Sequence, residues 1–318
     1  MKKILILTYE EDPHADSVCN YLKESKIEFF RVNTDKIIGN FSISFDSKKG
    51  FFSISNDSDN ILIDQEWNIW NRRIVDPYIP TNMPKELEKI IITETKKTWE
   101  SLLVLHKGRV INRLESQWVA NNKMNQLFFT RNYGNGIKIP DTILTNNPKD
   151  LIKFYRENSK ICHKLQQQAI MEKENESLTV YTNIINNNHL ENAELIRRNP
   201  CLFQTYIEKA YELRITALED KIIGIAIYSQ NSETSKIDWR KYDFDNVIYE
   251  KVELPKKVDD FCKNLIKHYG LHFGQIDMIV TPQDDYFFLE LNPNGQWLWL
   301  EKQSGYNLTK DIAENLVK

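Results

Sequence analysis

Two neighbouring stretches near the C-terminus decide the fold, and they read FGQIDMI over residues 273–279 and FLELNPNG over residues 288–295. Each predicts a β-strand, and the polar residues 282–285 between them predict the turn of a hairpin. Pro293 and Gly295 then end the second strand just past its last polar side chain. The sequence therefore places two adjacent strands, both carrying acidic or amide side chains.

Three oxygen-bearing side chains on these strands are candidate metal ligands. Because side chains alternate along a strand, Glu290 and Asn292 are predicted on one face, with Leu289 and Leu291 on the opposite face. Asp277 would approach them from the preceding strand. Two carboxylates and one amide oxygen are hard ligands that suit Mg²⁺. The alternative is a hairpin whose acids simply face solvent.

A second stretch, LFQTYIEKAYELRIT over residues 202–216, joins an apolar strand to an alternating strand through a polar link. The backbone of that link suits the edge of an adenine, Glu212 suits ribose hydroxyls and Arg214 suits phosphate oxygens. Lys123, in a helix predicted over 117–131, and Lys164, closing a strand over 160–165, suit a triphosphate. Taken alone, the stretch slightly favours a surface hairpin, and each lysine an ordinary solvated charge.

Length, charge and cysteine content narrow the class of protein. The 318 residues suffice for two domains, and a formal net charge of −3 argues against nucleic acid or an acidic membrane as a partner. The 4 cysteines are widely spaced, which favours reduced thiols in a cytosol over disulfides or a structural zinc site. The apolar run after Met1 is too short for a signal peptide and predicts a buried strand. We therefore expect a cytoplasmic protein.

The order of elements predicts an α/β (α+β) fold. A strand, a helix and a second strand open the chain, and a hairpin over 40–64 follows. The other predicted elements are strands over 69–72, 178–185, 201–207, 213–218, 222–228, 275–280 and 286–291, and helices over 84–107, 148–157 and 256–269, the last ending before Gly270. An N-terminal domain would close near residue 115.

These features, in this order, resemble the ATP-grasp superfamily, and in particular the ATP-grasp maturases of graspetides, which are microviridin-type peptides. The resemblance is carried by FQTYIEKAYELR (203–214), DWR (238–240), ELNPNGQW (290–297) and WNRR (70–73). It implies an ATP-grasp fold with an N-terminal Rossmann-like pre-ATP-grasp domain over residues 1–115. The ATP-grasp domain would span 116–318, with a lid subdomain over about 140–203 and a C-terminal subdomain over about 204–318.

The resemblance also implies a ligand set and residue roles. It implies ATP and Mg²⁺ as cofactors and a precursor peptide, with a leader and an acidic core, as the partner. Its residue assignments are Asp277, Glu290 and Asn292 for the metal, Lys123 and Lys164 for phosphates, Gln204, Tyr206 and Ile207 for adenine, Glu212 for ribose, Arg214 and Arg240 for catalysis, and Arg72 and Arg73 for substrate. The implied reaction activates Asp or Glu side chains as acyl phosphates and closes ω-ester or ω-amide rings with Thr, Ser or Lys.

One departure and several alternatives accompany this interpretation. Many ATP-grasp ligases carry a glycine-rich lid loop after the second lysine, whereas Lys164 is followed by Leu165 and three glutamines, 166–168. The peptide maturases also lack that loop, so the departure favours them. The alternatives are a ligase that adds a free amino acid to a small molecule or protein C-terminus, and a non-catalytic ATP-binding module. A leader surface at 178–198 is expected, and a homodimer stays open.

Overall fold

The computed structural model describes residues 2–158, 160–167, 170–173, 176–179 and 181–318, with the backbone alone for 170–173 and 176–179. The elements before residue 112 are β1 (Lys3–Thr8), α1 (Pro13–Glu24), β2 (Phe29–Asn33), α2 (Ile37–Asn40), β3 (Ser42–Asp46), β4 (Phe51–Ser55), β5 (Asn60–Ile63), β6 (Trp67–Asn71), α3 (Lys85–Leu105) and β7 (Val110–Ile111).

The elements after residue 112 are α4 (Leu114–Ala120), α5 (Lys123–Tyr133), β8 (Thr142–Thr145), α6 (Pro148–Glu157), β9 (Ile161–Lys164), β10 (Ile170–Lys173), β11 (Glu176–Thr179), β12 (Asn183–Ile184), α7 (Asn187–Glu191), β13 (Cys201–Thr205), β14 (Tyr211–Leu218), β15 (Lys221–Ile227), β16 (Tyr249–Val252), α8 (Lys256–Tyr269), β17 (Phe273–Val280), β18 (Tyr286–Asn292), α9 (Leu298–Ser304) and α10 (Leu308–Leu316). The predicted α/β fold is confirmed. Gln168 and Val180, which fall within predicted segments, lie outside the described residues.

The N-terminal sheet is parallel and has the strand order β2-β1-β6-β7. Its central strand β1 is buried from Ile4 to Thr8, as an apolar strand covered on both faces must be. The predicted hairpin over 40–64 is a separate antiparallel sheet of β3, β4 and β5, one strand longer than the sequence indicated.

Two further sheets carry the polar residues singled out in the sequence. A five-stranded antiparallel sheet has the order β16-β15-β14-β17-β18, so that β14 and β18 both pair with β17. A four-stranded antiparallel sheet has the order β12-β9-β13-β8. Helix α8 covers the five-stranded sheet with an apolar face, and it ends at Gly270, whose φ of 62° is left-handed.

One apolar core joins the N-terminal sheet to the C-terminal helices. Ile4, Val18 and Trp70 belong to the same buried cluster as Ile312 and Leu316. Helix α10 packs on α1, where the hydroxyls of Ser17 and Thr309 are 3.2 Å apart. The last helix of the described chain therefore completes the core around the first strand. No helix within the described residues is both long and apolar enough to cross a membrane.

The helix predicted over 117–131 is wrong in one respect, because the chain forms two helices there. Helix α4 ends at Ala120, and α5 begins at Lys123 after Asn122, whose side chain accepts from the backbone N–H of Asn125 at 2.9 Å. Asn is a favoured N-cap because its side chain competes for backbone groups at a helix start. Lys123 consequently lies in the first turn of a helix rather than in its middle.

Candidate active site

A cavity of about 800 Å³ lies between the four-stranded and the five-stranded antiparallel sheets. One side is formed by β9 and by the link after β13, and the other by β17, β18 and the start of α5. Most of the residues predicted for the site line it: Lys123, Lys164, Tyr206, Ile207, Glu212, Arg240, Asp277, Glu290 and Asn292.

Two carboxylates face each other at the floor of this cavity. Asp277 on β17 and Glu290 on β18 are partners in the antiparallel ladder. Burial raises the pKa of Asp277 above its ordinary value, and the nearby Glu290 adds to that rise against the opposing effect of Arg214. Burial also acts to raise the pKa of Glu290, but Lys123 and other cations outweigh it and lower that pKa to about 2. The pKa values of the two acids are therefore shifted in opposite directions.

Each of these carboxylates is held by a cation. The Lys123 Nζ is 2.8 Å from Oε2 of Glu290 and also donates to the carbonyl of Leu165 at 2.9 Å. The Arg214 Nη1 donates to both oxygens of Asp277 at 2.8 Å. The negative charges of the two carboxylates are therefore balanced by Lys123 from α5 and Arg214 from β14.

A bulge in β18 breaks the regular alternation of side chains that the sequence predicts. The register slips after Asp277, which pairs with Glu290, because the next residue, Met278, pairs with Phe288. Leu289 is the extra residue; both it and Leu291 border the cavity, but only Leu291 belongs to the buried apolar cluster. The prediction that Leu289 and Leu291 share a face is wrong, whereas Leu291 does lie in the buried apolar cluster.

Lys164 reaches the same cavity from the end of β9. Burial lowers the pKa of its ammonium group, and the positive charge of Lys123 lowers it further, while Glu290 opposes that change. Two lysines from opposite sides of the cavity therefore approach each other closely enough to interact. A polyanion bound there would relieve their mutual repulsion.

Glu212 also lines the cavity and is tied into a buried network. Its carboxylate pairs with the Lys209 ammonium group and accepts from the Ser229 hydroxyl. Burial raises the pKa of Glu212, whereas Lys209 lowers it. Lys209 also donates to the carbonyl of Ile237 at 3.2 Å. Sequence reasoning missed Lys209 as a site residue, although its spacing of three residues from Glu212 was a usable signal.

Arg240 lies on the segment between β15 and β16 of the five-stranded sheet, and this segment also contacts the chain just before β12 of the four-stranded sheet. Its Nε donates to Oδ1 of Asp238 at 2.8 Å, and its Nη2 donates to the other oxygen. The backbone N–H of Thr182 donates to Asp238 at 3.0 Å. Burial acts to raise the pKa of Asp238, but the hydrogen bonds and charge of Arg240 outweigh it and lower that pKa. Arg240 keeps 31% of its side chain exposed, so it remains available to a ligand.

Four predicted site residues do not line the cavity. Arg214 lies behind its floor, bonded to Asp277, and the Gln204 side chain donates to the Thr142 hydroxyl at 3.0 Å, away from the cavity. Arg72 and Arg73 lie outside the cavity, near the N-terminal sheet.

Arg72, which the resemblance assigns to substrate binding, is buried in the structure. Its side chain is 1% exposed, with Nε 3.2 Å from Oδ2 of Asp12, and its Nη1 donates to the carbonyl of Asn294 at 3.0 Å. The guanidinium also lies over the ring of Trp297, 5.1 Å from its centroid. This placement closes the guanidinium off from solvent, so a substrate bound at the surface would not contact it.

The donor groups at the floor fit a magnesium ion. Within the described part of the chain, no cluster of three or more His, Cys, Asp and Glu side chains has metal-binding geometry, so a site here needs an amide or other oxygen as well. Asn292 supplies one, and its Oδ1 accepts from the Asn294 N–H at 2.9 Å, which leaves a second lone pair. The repulsion between Asp277 and Glu290 would be relieved by a hard cation between them.

The fold and this cavity define an ATP-grasp ligase. A model of the RimK-like ATP-grasp domain matches residues 120–316, and a model of the MvdD pre-ATP-grasp domain matches residues 3–117. The chain belongs to the RimK-like ATP-grasp family. The predicted resemblance to peptide-modifying ATP-grasp enzymes is confirmed by these matches and by the solved structures that follow.

Solved structures of similar length share the whole fold. The macrocyclase MdnC from Microcystis aeruginosa MRC, solved with its precursor peptide MdnA, is 27% identical, with a TM-score of 0.86 and coverage of 99% of this chain and 99% of that one. A RiPP-associated ATP-grasp ligase from Chryseobacterium gregarium, solved with ADP and a leader and core peptide, is 27% identical, with a TM-score of 0.88 and coverage of 100% and 96%. The macrocyclase MdnB from Microcystis aeruginosa MRC is 26% identical, with a TM-score of 0.79 and coverage of 100% and 99%. No curated protein matches this sequence.

Proposed function

We propose that this chain is an ATP- and Mg²⁺-dependent ligase that joins acidic side chains of a ribosomally made precursor peptide to hydroxyl or amino groups of the same peptide. One observation carries the proposal: a single cavity brings a facing pair of carboxylates together with two lysines and an accessible arginine. Relatives 27% identical over nearly the whole chain were solved with a precursor peptide, or with ADP and a leader and core peptide.

The nucleotide would lie along the cavity from the lysines to the β13–β14 link. Lys123 and Lys164 would hold phosphates, and the backbone at Tyr206 and Ile207 would meet the adenine edge. Gln204 would act there only through its neighbours, because its own side chain bonds Thr142. Glu212 would accept from ribose hydroxyls once it exchanges one of its present partners.

Asp277, Glu290 and Asn292 would hold Mg²⁺. When bound, the ion neutralises charge on the phosphates of the nucleotide during transfer. Arg214 would keep Asp277 ionised and aimed at the floor, since burial alone favours its neutral form. Lys123 contacts Glu290 and would also contact a phosphate, so it would link the metal site to the nucleotide.

The reaction would proceed in two displacements. A carboxylate oxygen of a peptide Asp or Glu attacks the γ-phosphorus of ATP, the bond to the β–γ bridging oxygen breaks, and ADP leaves. A Thr or Ser hydroxyl, or a Lys amine, then attacks the acyl carbon and releases phosphate, which takes up the displaced proton. Arg240 would orient the peptide carboxylate and donate to the oxyanion that develops on the acyl carbon, with Asp238 holding it in place.

Further parts of the sequence interpretation stay predictions. These are the division into domains at residues 115 and 116, the lid over about 140–203, the leader surface at 178–198 and the homodimer. For substrate binding we retain Arg73, which is half-buried, whereas Arg72 is buried in the interior.

The test is incubation of the purified chain with ATP, Mg²⁺ and a short acidic peptide encoded beside its gene. Each ring formed removes one water from the peptide, and tandem mass spectrometry locates the bond. We expect one ADP per ring, and hydroxylamine or mild base separates esters, which cleave, from amides, which do not. ADP release with free amino acids and no peptide would favour the small-molecule ligase. ATP binding without turnover on any acidic peptide would favour a regulatory module.

A further inference from the structure

Strand β18, which carries two of the proposed metal ligands, lies at the edge of its sheet. An edge strand has a row of backbone N–H and C=O groups without a strand partner. In the first half of β18, the backbone of Lys138 supplies the hydrogen-bond partners. Its N–H donates to the carbonyl of Tyr286, and its carbonyl accepts from the N–H of Phe288, both at 2.8 Å. This cover ends where the bulge at Leu289 begins.

Past the bulge, the side chain of Gln126 takes over as the partner of the strand. Its Oε1 accepts from the backbone N–H of Leu291 at 2.9 Å, and its Nε2 donates to the carbonyl of the same residue at 2.8 Å. The Nε2 also donates to the carbonyl of Ala120. A carboxamide offers the same donor and acceptor as a peptide group. Gln126, which is 1% exposed, therefore replaces a neighbouring strand at one position.

Leu291, whose backbone Gln126 holds, lies between the proposed metal ligands Glu290 and Asn292. The side chain of Leu291 is buried in the core at 3% exposure, so both its backbone and its side chain are fixed. Lys123, one turn earlier on α5, contacts the carboxylate of Glu290. One helix thus holds two consecutive residues of β18 through two side chains on the same face.

The turn that follows is fixed in the same way by side chains from outside the sheet. The Asn112 Nδ2 donates to the carbonyl of Pro293 at 2.9 Å, and the Arg72 Nη1 donates to that of Asn294 at 3.0 Å. The backbone on both sides of Asn292 is therefore bonded to residues that do not belong to its hairpin.

We infer that Gln126 is a positioning residue for the metal site, acting through the backbone of Leu291 to keep the Glu290 and Asn292 oxygens aimed at the cavity. The inference rests on the proposed function, because it concerns the same metal ligands. Groups that orient ligands from behind commonly change metal affinity by about 10-fold to 100-fold when they are removed. In this role Gln126 acts through the backbone of β18 and not as a ligand, although it also borders the cavity.

The test compares ADP binding by calorimetry, with saturating Mg²⁺ and with EDTA, for the full chain and for Gln126→Met. Methionine keeps the length of the side chain and removes all three hydrogen bonds. We expect ADP affinity in Mg²⁺ to fall by about tenfold or more, while the affinity in EDTA stays within about twofold. Hydrogen exchange at the Leu291 amide should be faster in the variant. If Gln126→Met does not fold, Gln126→Asn keeps the carboxamide but lacks the reach, and it should show the same selective loss.

The matched control is Thr130→Val, one turn further along α5. It removes a buried hydrogen bond to the carbonyl of Gln126, 2.9 Å long, without touching β18. It should lower thermal stability and leave the Mg²⁺-dependent part of ADP binding unchanged. Equal weakening with and without Mg²⁺ in the Gln126 variants, or no weakening, would overturn the positioning role. If Mg²⁺ does not strengthen ADP binding in the unaltered chain, the proposed metal site itself fails.

Discussion

Replacing Glu290 with glutamine removes one of two facing carboxylates while it preserves the size of the side chain. The structure gives two separate consequences, one for stability and one for turnover. The ionised carboxylate interacts favourably with Lys123 and with other nearby cations, which hold its pKa at about 2 against an ordinary value of 4.5 despite its burial. The same carboxylate is also a proposed metal ligand.

The cost in stability has an upper bound set by that pKa shift. A difference of roughly 2.5 pKa units corresponds to about 3 kcal/mol favouring the charged form in the folded state. Relief of the repulsion between Glu290 and Asp277 reduces the net cost to roughly 1–2 kcal/mol. Because the folded pKa is lowered, this stabilisation is complete above pH 4.5 and is lost as the pH falls towards 2. Urea denaturation of both proteins at pH 7, and again at about pH 3, inside that window, measures the difference.

The loss of turnover should be much larger than the loss of stability. Removing one charged ligand of a catalytic ion costs several kcal/mol of transition-state stabilisation, or about 10³-fold in rate. A coupled assay of ADP formation with the acidic peptide measures that rate at a temperature where the variant is folded.

Glu219→Gln is the matched control for this variant. Glu219 pairs with Arg109 at 2.9 Å, and the exposures of 18% and 26% resemble those of Lys123 and Glu290, which are 19% and 29%. Glu219 lies outside the lining of the cavity. Its replacement should lower stability by a similar amount and leave the rate of ADP formation within about twofold. If Glu290→Gln keeps more than about one tenth of the rate, the assignment of Glu290 to the metal is wrong.

Three further variants test other parts of the structure. Arg72→Met should lower the free energy of unfolding by about 3 kcal/mol or more in urea denaturation, because it leaves the Asp12 carboxylate buried without its cation; a loss under about 1 kcal/mol would contradict that role. Burial and Arg72 lower the pKa of His14 to about 3, so the unfolded chain binds the proton first, and stability should fall by about 1.4 kcal/mol per pH unit below 6.5 from this group alone. His14→Gln should remove that slope between pH 6.5 and 5, and equal slopes in both proteins would refute it. Arg240→Lys should lower kcat/KM for the peptide by about tenfold while ADP affinity stays within about twofold, since lysine cannot make the bidentate pair with Asp238; a parallel loss of ADP affinity would place Arg240 at the nucleotide instead.

Local patterns predicted the elements whose determinants are close in sequence. Helix α8 was predicted over 256–269 with both ends correct, because its apolar face repeats at helical spacing and Gly270 supplies a left-handed end. The β17–β18 hairpin was predicted for the same reason, and Asp277 and Glu290 do face each other. Strand alternation was sufficient there because the two strands are joined by a short turn.

Features that depend on distant contacts were not predictable in this way. The bulge at Leu289 arises from how β18 meets β17 and α5, and the strand sequence alternates as if it were regular. The burial of Arg72, which was predicted to bind substrate, gave no signal in the sequence, because its partners at Asp12 and Asn294 are brought to it only by the folded chain. The role inferred for Gln126 depends on contact with Leu291, 165 residues away, for which an isolated glutamine gives no signal.

The packing of α10 on α1 has a consequence during synthesis. The apolar faces of β1 and α1 leave the ribosome early, but Leu308, Ile312 and Leu316, which belong to the same core, are translated about 300 codons later. Until then, the nascent N-terminal sheet must keep an apolar face exposed, where a chaperone can bind it or aggregation can begin. Chains on ribosomes stalled before residue 308 should therefore be cut by proteases in the N-terminal sheet. Chains that extend through α10 and have been released should resist that cleavage.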